Sequence, residues 1–206
     1  SFDVFSKYVT GITITKKILS PLGKKINSKY LLFDNGKCAF IELSDSSGLK
    51  LVKKDFRNPL MYNSYSTGEI ILSAIKKGVK KIILALGGSA TVDGGIGILS
   101  ALGVKFLNKD GNVLKRKNFI NEISKIEYKK NLFSNIEFTL LTDVKNKLLG
   151  KNGASYVFSK QKGATKLQMD ELENGLLNLS NITKQKTKLN PEIIVGGGSA
   201  GGIAAF

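Results

Sequence analysis

Leu84-Ala85-Leu86-Gly87-Gly88-Ser89-Ala90-Thr91-Val92-Asp93-Gly94-Gly95 is the stretch on which the reading of this chain turns. It follows the β-branched run Val79–Ile83, which reads as a buried strand, and it leads into Ile96–Leu102, whose apolar spacing suits a helix. A strand that breaks into glycines and restarts as a helix leaves bare backbone N–H groups at the positive end of a helix dipole, where an anion binds well. Four glycines let this backbone take positive φ and approach a ligand closely. Between them stand two hydroxyls, Ser89 and Thr91, and one carboxylate, Asp93, which suit a phosphate, a hydroxy acid or Mg²⁺. The plainer alternative is a tight strand-to-helix turn with no ligand.

Working outward from that loop, the chain begins as a β-meander. Ile12–Leu19, Ile26–Phe33 and Cys38–Leu43 are rich in β-branched and apolar residues, and Asp34-Asn35-Gly36 carries a hairpin signal. From about Asp45 helices alternate with strands. Ser66 and Glu69 have capping-box spacing, which predicts a helix from about Thr67 to Lys77 with Ile71, Ala74 and Ile75 as its apolar stripe. Val104–Leu107 and Val113-Leu114, around Asp110-Gly111, read as a second hairpin. Glu137–Leu141 reads as another buried strand that delivers Thr142 and Asp143 to its carboxyl end. Open α/β sheets place ligands beyond such ends, which would let Asp93 and Asp143 share one crevice. Thr165 and Gln168 again fit a capping box, followed by the stripe Met169, Leu172, Leu176 and Leu179, while the polar, lysine-rich 181–190 reads as a surface loop. The expected fold class is therefore mixed α/β, with an antiparallel meander over 1–50, an α/β portion over 51–195 and a glycine-rich segment over 196–206.

Composition narrows the chemistry. The chain has 206 residues, 42% hydrophobic and 23% charged, which is ordinary for a globular protein with a sizeable core. No apolar run approaches the roughly 18 residues that a membrane-spanning helix needs. There is no histidine, so no Ser-His-Asp triad and no His-ligated zinc can form within it. Acid–base work falls to carboxylates, lysines or tyrosines, and oxygen ligands favour Mg²⁺. Cys38 stands alone, which excludes an intrachain disulfide, fits a reducing, cytoplasmic setting and reads as a small buried hydrophobe.

The net charge is +16, but all except two of the 32 basic residues are lysines, the exceptions being Arg57 and Arg116. Base readout leans on arginine, and these lysines are scattered without interleaved aromatics, so they read as a solvated surface that attracts small anions rather than nucleic acid. Gly196-Gly197-Gly198-Ser199-Ala200-Gly201 satisfies the letters G-x-G-x-x-G, which makes a dinucleotide-binding oxidoreductase the competing reading, although the helix and acidic residue that motif needs do not follow within the chain. No segment fits the Walker pattern.

The glycine loop also resembles the signature of the bacterial glycerate kinases of the first type, the glycerate 2-kinases, which usually carry Asn where this chain has Val92. Further matches follow in family order. Ile41-Glu42-Leu43-Ser44-Asp45-Ser46-Ser47-Gly48-Leu49 is similar to an acidic, small-residue motif, and Arg57-Asn58-Pro59-Leu60 with Tyr65-Ser66-Thr67-Gly68-Glu69 to a second stretch. Asp143-Val144, Leu148-Leu149-Gly150 and Gly153-Ala154 match a third, and Val157-Phe158 with Gln161-Lys162-Gly163-Ala164 a fourth. Lys147 and Lys160 stand where the family has prolines. Family members are nearly twice as long and carry Phe-Lys-Gly-Ser, Asp-Gly-Gly-Glu-Gly and Thr-Gly-Glu-Gly motifs that do not occur here, so the chain is expected to be the central, inserted domain of a two-domain enzyme, cut at both ends.

The resemblance implies phosphoryl transfer from ATP, with Mg²⁺, to a hydroxyl of D-glycerate, most often the 2-hydroxyl, in a cleft whose other wall belongs to the missing N- and C-terminal parts. Asp93 or Asp143 would bind the metal or activate the hydroxyl. Gly87, Gly88, Ser89, Thr91, Gly94 and Gly95 would hold phosphate or the glycerate carboxylate, and Lys162 would neutralise transferring charge unless it is a surface lysine. Arg57 would pair with a carboxylate or lock a turn, and Glu42 is a further binding candidate. Neither nucleic acid nor a membrane is expected as a partner.

Overall fold

The computed structural model describes residues 2–115 and 117–206; Ser1 and Arg116 lie outside them. A short helix, α1 (Phe2–Tyr8), precedes the expected meander, β1 (Gly11–Leu19), β2 (Lys25–Phe33) and β3 (Cys38–Glu42), paired antiparallel with Ile14 opposite Tyr30 and Leu31 opposite Phe40. Asn35 and Gly36 both take positive φ at the β2–β3 turn, as an Asn-Gly hairpin requires, and Asp34 before them does so too. The chain then crosses over through α2 (Leu43–Ser47) and α3 (Tyr65–Lys76) to β4 (Lys81–Ala85), which lies parallel to β3. After α4 (Ile96–Ala101), β5 (Lys105–Leu107) and β6 (Lys125–Glu127) form a small ribbon, and β7 (Glu137–Leu141) returns parallel to β4. The sheet order is β1-β2-β3-β4-β7, so the meander and the α/β portion share one mixed sheet. Then come α5 (Ala154–Phe158) and the long α6 (Lys166–Thr187).

Register positions the site. Glu42 pairs with Ala85, and Ala85 with Leu141, so the loops that leave β3, β4 and β7 all depart from one level of the sheet. Tyr30, Ile41, Ile70, Ile71 and Ile82 pack between the sheet and α3, while Ile96, Phe106, Ile120, Leu172 and Leu176 fill a second core beneath α6. Helices α3 and α4 touch closely because Gly97 has no side chain; a Cβ there would collide with the backbone nitrogens of Ser64 and Tyr65.

Five expectations change. Helix α3 starts at Tyr65, not near Thr67, and Ser66 with Glu69 is no capping box: the Ser66 hydroxyl donates to the Leu19 carbonyl. Burial against β1 competed with the local cap and won. Residues 181–187 continue α6 rather than forming a loop. Lysine and glutamine are good helix formers, nothing there breaks the helix, and Ser180 and Lys184 both donate to Glu192. Strand β6 was not anticipated, and it, more than Val113-Leu114, is the partner of β5. Strand β7 is a half-exposed edge, with Leu141 45% exposed, because an apolar run alone does not tell a one-sided strand from a buried one. Cys38 is only half-buried; its thiol donates to the Asp34 carboxylate at 3.7 Å, and burial with that neighbour holds its pKa up. The Thr165/Gln168 capping box is present in both directions.

Residues 196–206 fold back onto the glycine loop instead of opening a dinucleotide site. No strand precedes them, since Pro191–Ile193 is a 3-10 turn, and the Gly201 carbonyl accepts from Gly94 N–H at 3.0 Å.

Candidate active site

The loop after β4 is held by backbone hydrogen bonds from two sides. Leu49 N–H donates to the Gly88 carbonyl and Ala90 N–H to the Ser47 carbonyl, which pins it to the segment after β3. Leu86 N–H donates to Leu141 O, which ties its start to β7. No described residue accepts from the N–H groups of Gly87, Gly88 or Ser89. Gly87 and Gly88 are exposed and border a crevice of about 180 Å³ together with Ser89, Asp143, Lys162 and Ser199. That volume is below the roughly 300–1,000 Å³ of a drug-sized ligand site, and suits a small acid or a terminal phosphoryl group.

Lys162 is the least expected member. It ends the 3-10 turn Lys160–Lys162 and is 3% exposed, so it is no surface lysine. Its Nζ donates to Ser89 Oγ at 2.7 Å and to the Thr91 carbonyl at 2.7 Å. Burial pushes its pKa down from 10.5 to about 7, against a pull upward from Asp93 nearby. Arg57 braces this turn from behind: its guanidinium donates to the Gln161 carbonyl at 3.2 Å. Gly163 has φ near +92°, and a Cβ on it would run into Arg57, so the turn and the Arg-Asn-Pro-Leu segment fit only in this form. Arg57 thus locks a turn and does not line the crevice.

Asp93 sits elsewhere than the spacing suggested. It is fully buried, and its carboxylate accepts from Ser64 N–H (2.8 Å), Ser64 Oγ (2.8 Å), Gly97 N–H (3.2 Å) and Gly95 N–H (3.2 Å). Burial pushes its pKa up while these donors pull it back. Asp93 therefore holds the start of α4 and ties it to α3, and it does not border the crevice that Asp143 borders. The N–H groups of Gly94 and Gly95 are likewise spent, on Gly201 O and Asp93. Thr91 is enclosed, and its Oγ1 has no hydrogen-bond partner among the described residues. Glu42, at the end of β3, accepts from Phe2 N–H at 3.4 Å and does not border the crevice.

Asp143 is exposed at the mouth, on the loop after β7. No three acidic or cysteine residues cluster as a metal cage among the described residues. Beyond Val144 that loop enters a more open cavity of about 570 Å³, bordered by Lys145, Lys147 and Lys151 and by no acid. None of these three lysines has an ion pair or hydrogen bond among the described residues. Sequence reasoning missed both Ser199, whose hydroxyl accepts from Thr142 Oγ1 at 2.8 Å, and this basic cavity. Only the dense run of three lysines in seven residues pointed to the cavity.

Residues 1–206 match the model of the glycerate kinase family. A glycerate kinase of Bacillus cereus is 40% identical over 95% of this chain and 52% of its own length. The Escherichia coli glycerate 2-kinase is 38% identical over 91% of this chain and 50% of its own. A solved structure from Salmonella typhimurium LT2, provisionally named glycerate kinase 2, superposes with a TM-score of 0.94 at 33% identity, covering all of this chain and 56% of that one. The chain spans about half the length of the curated relatives it matches. It belongs to the glycerate kinase family.

Proposed function

We propose that this chain forms one wall of the active site of an ATP-dependent glycerate kinase, which transfers the γ-phosphoryl group to a hydroxyl of D-glycerate, most often the 2-hydroxyl. The observation that carries the reading is the crevice itself. Free N–H groups of Gly87 and Gly88, the Ser89 hydroxyl and the buried Lys162 amine converge on a space the size of a small acid or one phosphoryl group. Phosphoryl transfer relies on positioning and charge stabilisation rather than on covalent chemistry of the protein, and such a cradle supplies both.

Mg²⁺ is usually bound through one or two carboxylates, substrate phosphates and water, not by an all-protein cage. One exposed carboxylate at the crevice mouth fits that pattern, so Asp143 is the residue we assign to hold the ion, which when bound neutralises the nucleotide phosphates. Lys145, Lys147 and Lys151 add positive field beside it, where the rest of the triphosphate would lie. The closing wall comes from sequence outside this chain, which the greater length of the relatives accommodates. No helix among the described residues is long and apolar enough to cross a membrane, and a cytoplasmic location is part of the proposal. The test is a coupled ADP-release assay on the full-length protein that carries this chain. Glycerate-dependent turnover is expected, and its absence at saturating ATP and Mg²⁺ would overturn the assignment.

A further inference from the structure

An acceptor alcohol must lose its proton as it attacks phosphorus, and without histidine the crevice offers few groups to take it. Asp93 is enclosed and committed to four donors, and Asp143 is the carboxylate we assign to the metal. What remains is a hydroxyl in contact with an amine. Ser89 Oγ and Lys162 Nζ lie 2.7 Å apart, both border the crevice, and they are 5% and 3% exposed. The second contact of Nζ is the Thr91 carbonyl, which only accepts. A neutral amine satisfies both at once, donating to Thr91 O while accepting from the Ser89 hydroxyl.

Resting on the kinase reading above, we infer that Ser89 and Lys162 form a proton relay that serves as the base for the acceptor hydroxyl. The alcohol O–H gives its proton to Ser89 Oγ as the Ser89 proton passes to Lys162 Nζ. The alcohol oxygen bonds to the γ-phosphorus, and the bond from that phosphorus to the β–γ bridging oxygen breaks, with its electron pair leaving on ADP. Lys162 ends as a cation beside the transferred group, whose negative charge it balances.

The surroundings allow the amine to be neutral at working pH. The charged groups around it are Asp93 behind the glycine loop, Asp143 across the mouth, and Arg57, which reaches the turn only through the Gln161 carbonyl. Lys162 has no carboxylate among its hydrogen-bond partners, and burial brings its pKa to about 7.

Two measurements on the full-length protein decide the matter. The first is the pH dependence of glycerate-dependent kcat/KM, expected to fall on the acid side with an apparent pKa near 7. Lys162→Arg is expected to lose at least 100-fold and that limb with it, and Ser89→Ala to lose at least tenfold with KM for ATP little changed. The second is the ¹³Cε shift of Lys162 in ¹³C-lysine protein, assigned by its absence in Lys162→Arg. It is expected to titrate near pH 7, and this needs no turnover. An acid limb confined below pH 5, or a Lys162 signal that stays protonated above pH 9, would overturn the relay. Failure of glycerate to turn over at any pH would instead overturn the substrate assignment, and the titration would still decide whether this amine is able to act as a base.

Discussion

Asp93→Asn is the sharpest perturbation of this fold. Three donors converge on Asp93 Oδ2, from Ser64 N–H, Ser64 Oγ and Gly97 N–H, and one on Oδ1, from Gly95 N–H. An asparagine keeps one acceptor oxygen. Turned to serve the three, it retains them as neutral hydrogen bonds, each worth about 1 kcal/mol less than a charge-assisted one. It then sets its NH₂ against Gly95 N–H, leaving a buried donor unsatisfied at about 1–3 kcal/mol. Nothing in this enclosed pocket lets water make up the difference. The loss comes to about 4–6 kcal/mol, a large share of the roughly 5–15 kcal/mol that holds a domain folded. For a chain of this size each kcal/mol is about 2–4 °C of melting temperature, so thermal unfolding by circular dichroism should move down by about 10 °C or more. A variant that melts within 2 °C of the parent, yet has lost glycerate turnover in the full-length enzyme, would refute the reasoning and return Asp93 to the chemistry.

Lys162→Met should stabilise most at and below pH 7. Between about 7 and 10.5 the unfolded chain binds a proton that the fold refuses, so parent stability rises with pH and the advantage of the variant shrinks by up to about 1.4 kcal/mol per unit; chemical denaturation at pH 7 and pH 10 giving an equal gap would contradict this. Glu192 has its pKa lowered mainly by the Lys184 hydrogen bond, so it adds stability above its ordinary 4.5 that is lost as the pH falls below that value. Being a third exposed, it is worth no more than about 0.5–1 kcal/mol, and Glu192→Gln should cost that at pH 7 and progressively less in urea melts as the pH is taken below 4.5. Thr165→Ala should cost about 1 kcal/mol by breaking the α6 capping box, with Thr165→Ser largely neutral. Gly97→Ala should cost about 2–4 kcal/mol by forcing α3 and α4 apart, and an unchanged denaturation midpoint would show that the contact yields freely.

Much of this was legible in the chain, and for identifiable reasons. The meander carries its own turn chemistry, and Asp34-Asn35-Gly36 set the register of β2 on β3. The glycine loop showed itself because glycine best supports the positive φ that Gly88, Gly94 and Gly95 take there. The α6 cap was readable because Thr165 and Gln168 are three apart. What failed were contests between local signals and distant contacts. Ser66 looks like a cap but gives its hydroxyl to β1, 181–187 look like a loop but Glu192 ties them into a helix, and β7 looks buried but forms an edge. Within the site, residue types were legible and orientation was not. Asp93 and Lys162 have opposite fates from what their charge suggests, the carboxylate sealed inside a helix junction and the lysine buried at the crevice. Side-chain direction there is set by packing across dozens of residues, which spacing along the chain does not encode.

The hydrogen bonds that shape the crevice join positions far apart: 73 residues between Lys162 and Ser89, 71 between Lys162 and Thr91, and 104 between Arg57 and Gln161. No hairpin or single helix contains two of its walls, so a partly folded chain has no version of the cradle. A small anion seated there meets only the completed fold, and its whole binding free energy appears as resistance to global unfolding, about 2.7 kcal/mol at a hundredfold excess over Kd. Candidate acids and phosphates can therefore be ranked by how far each raises the melting temperature, before any reaction is assayed.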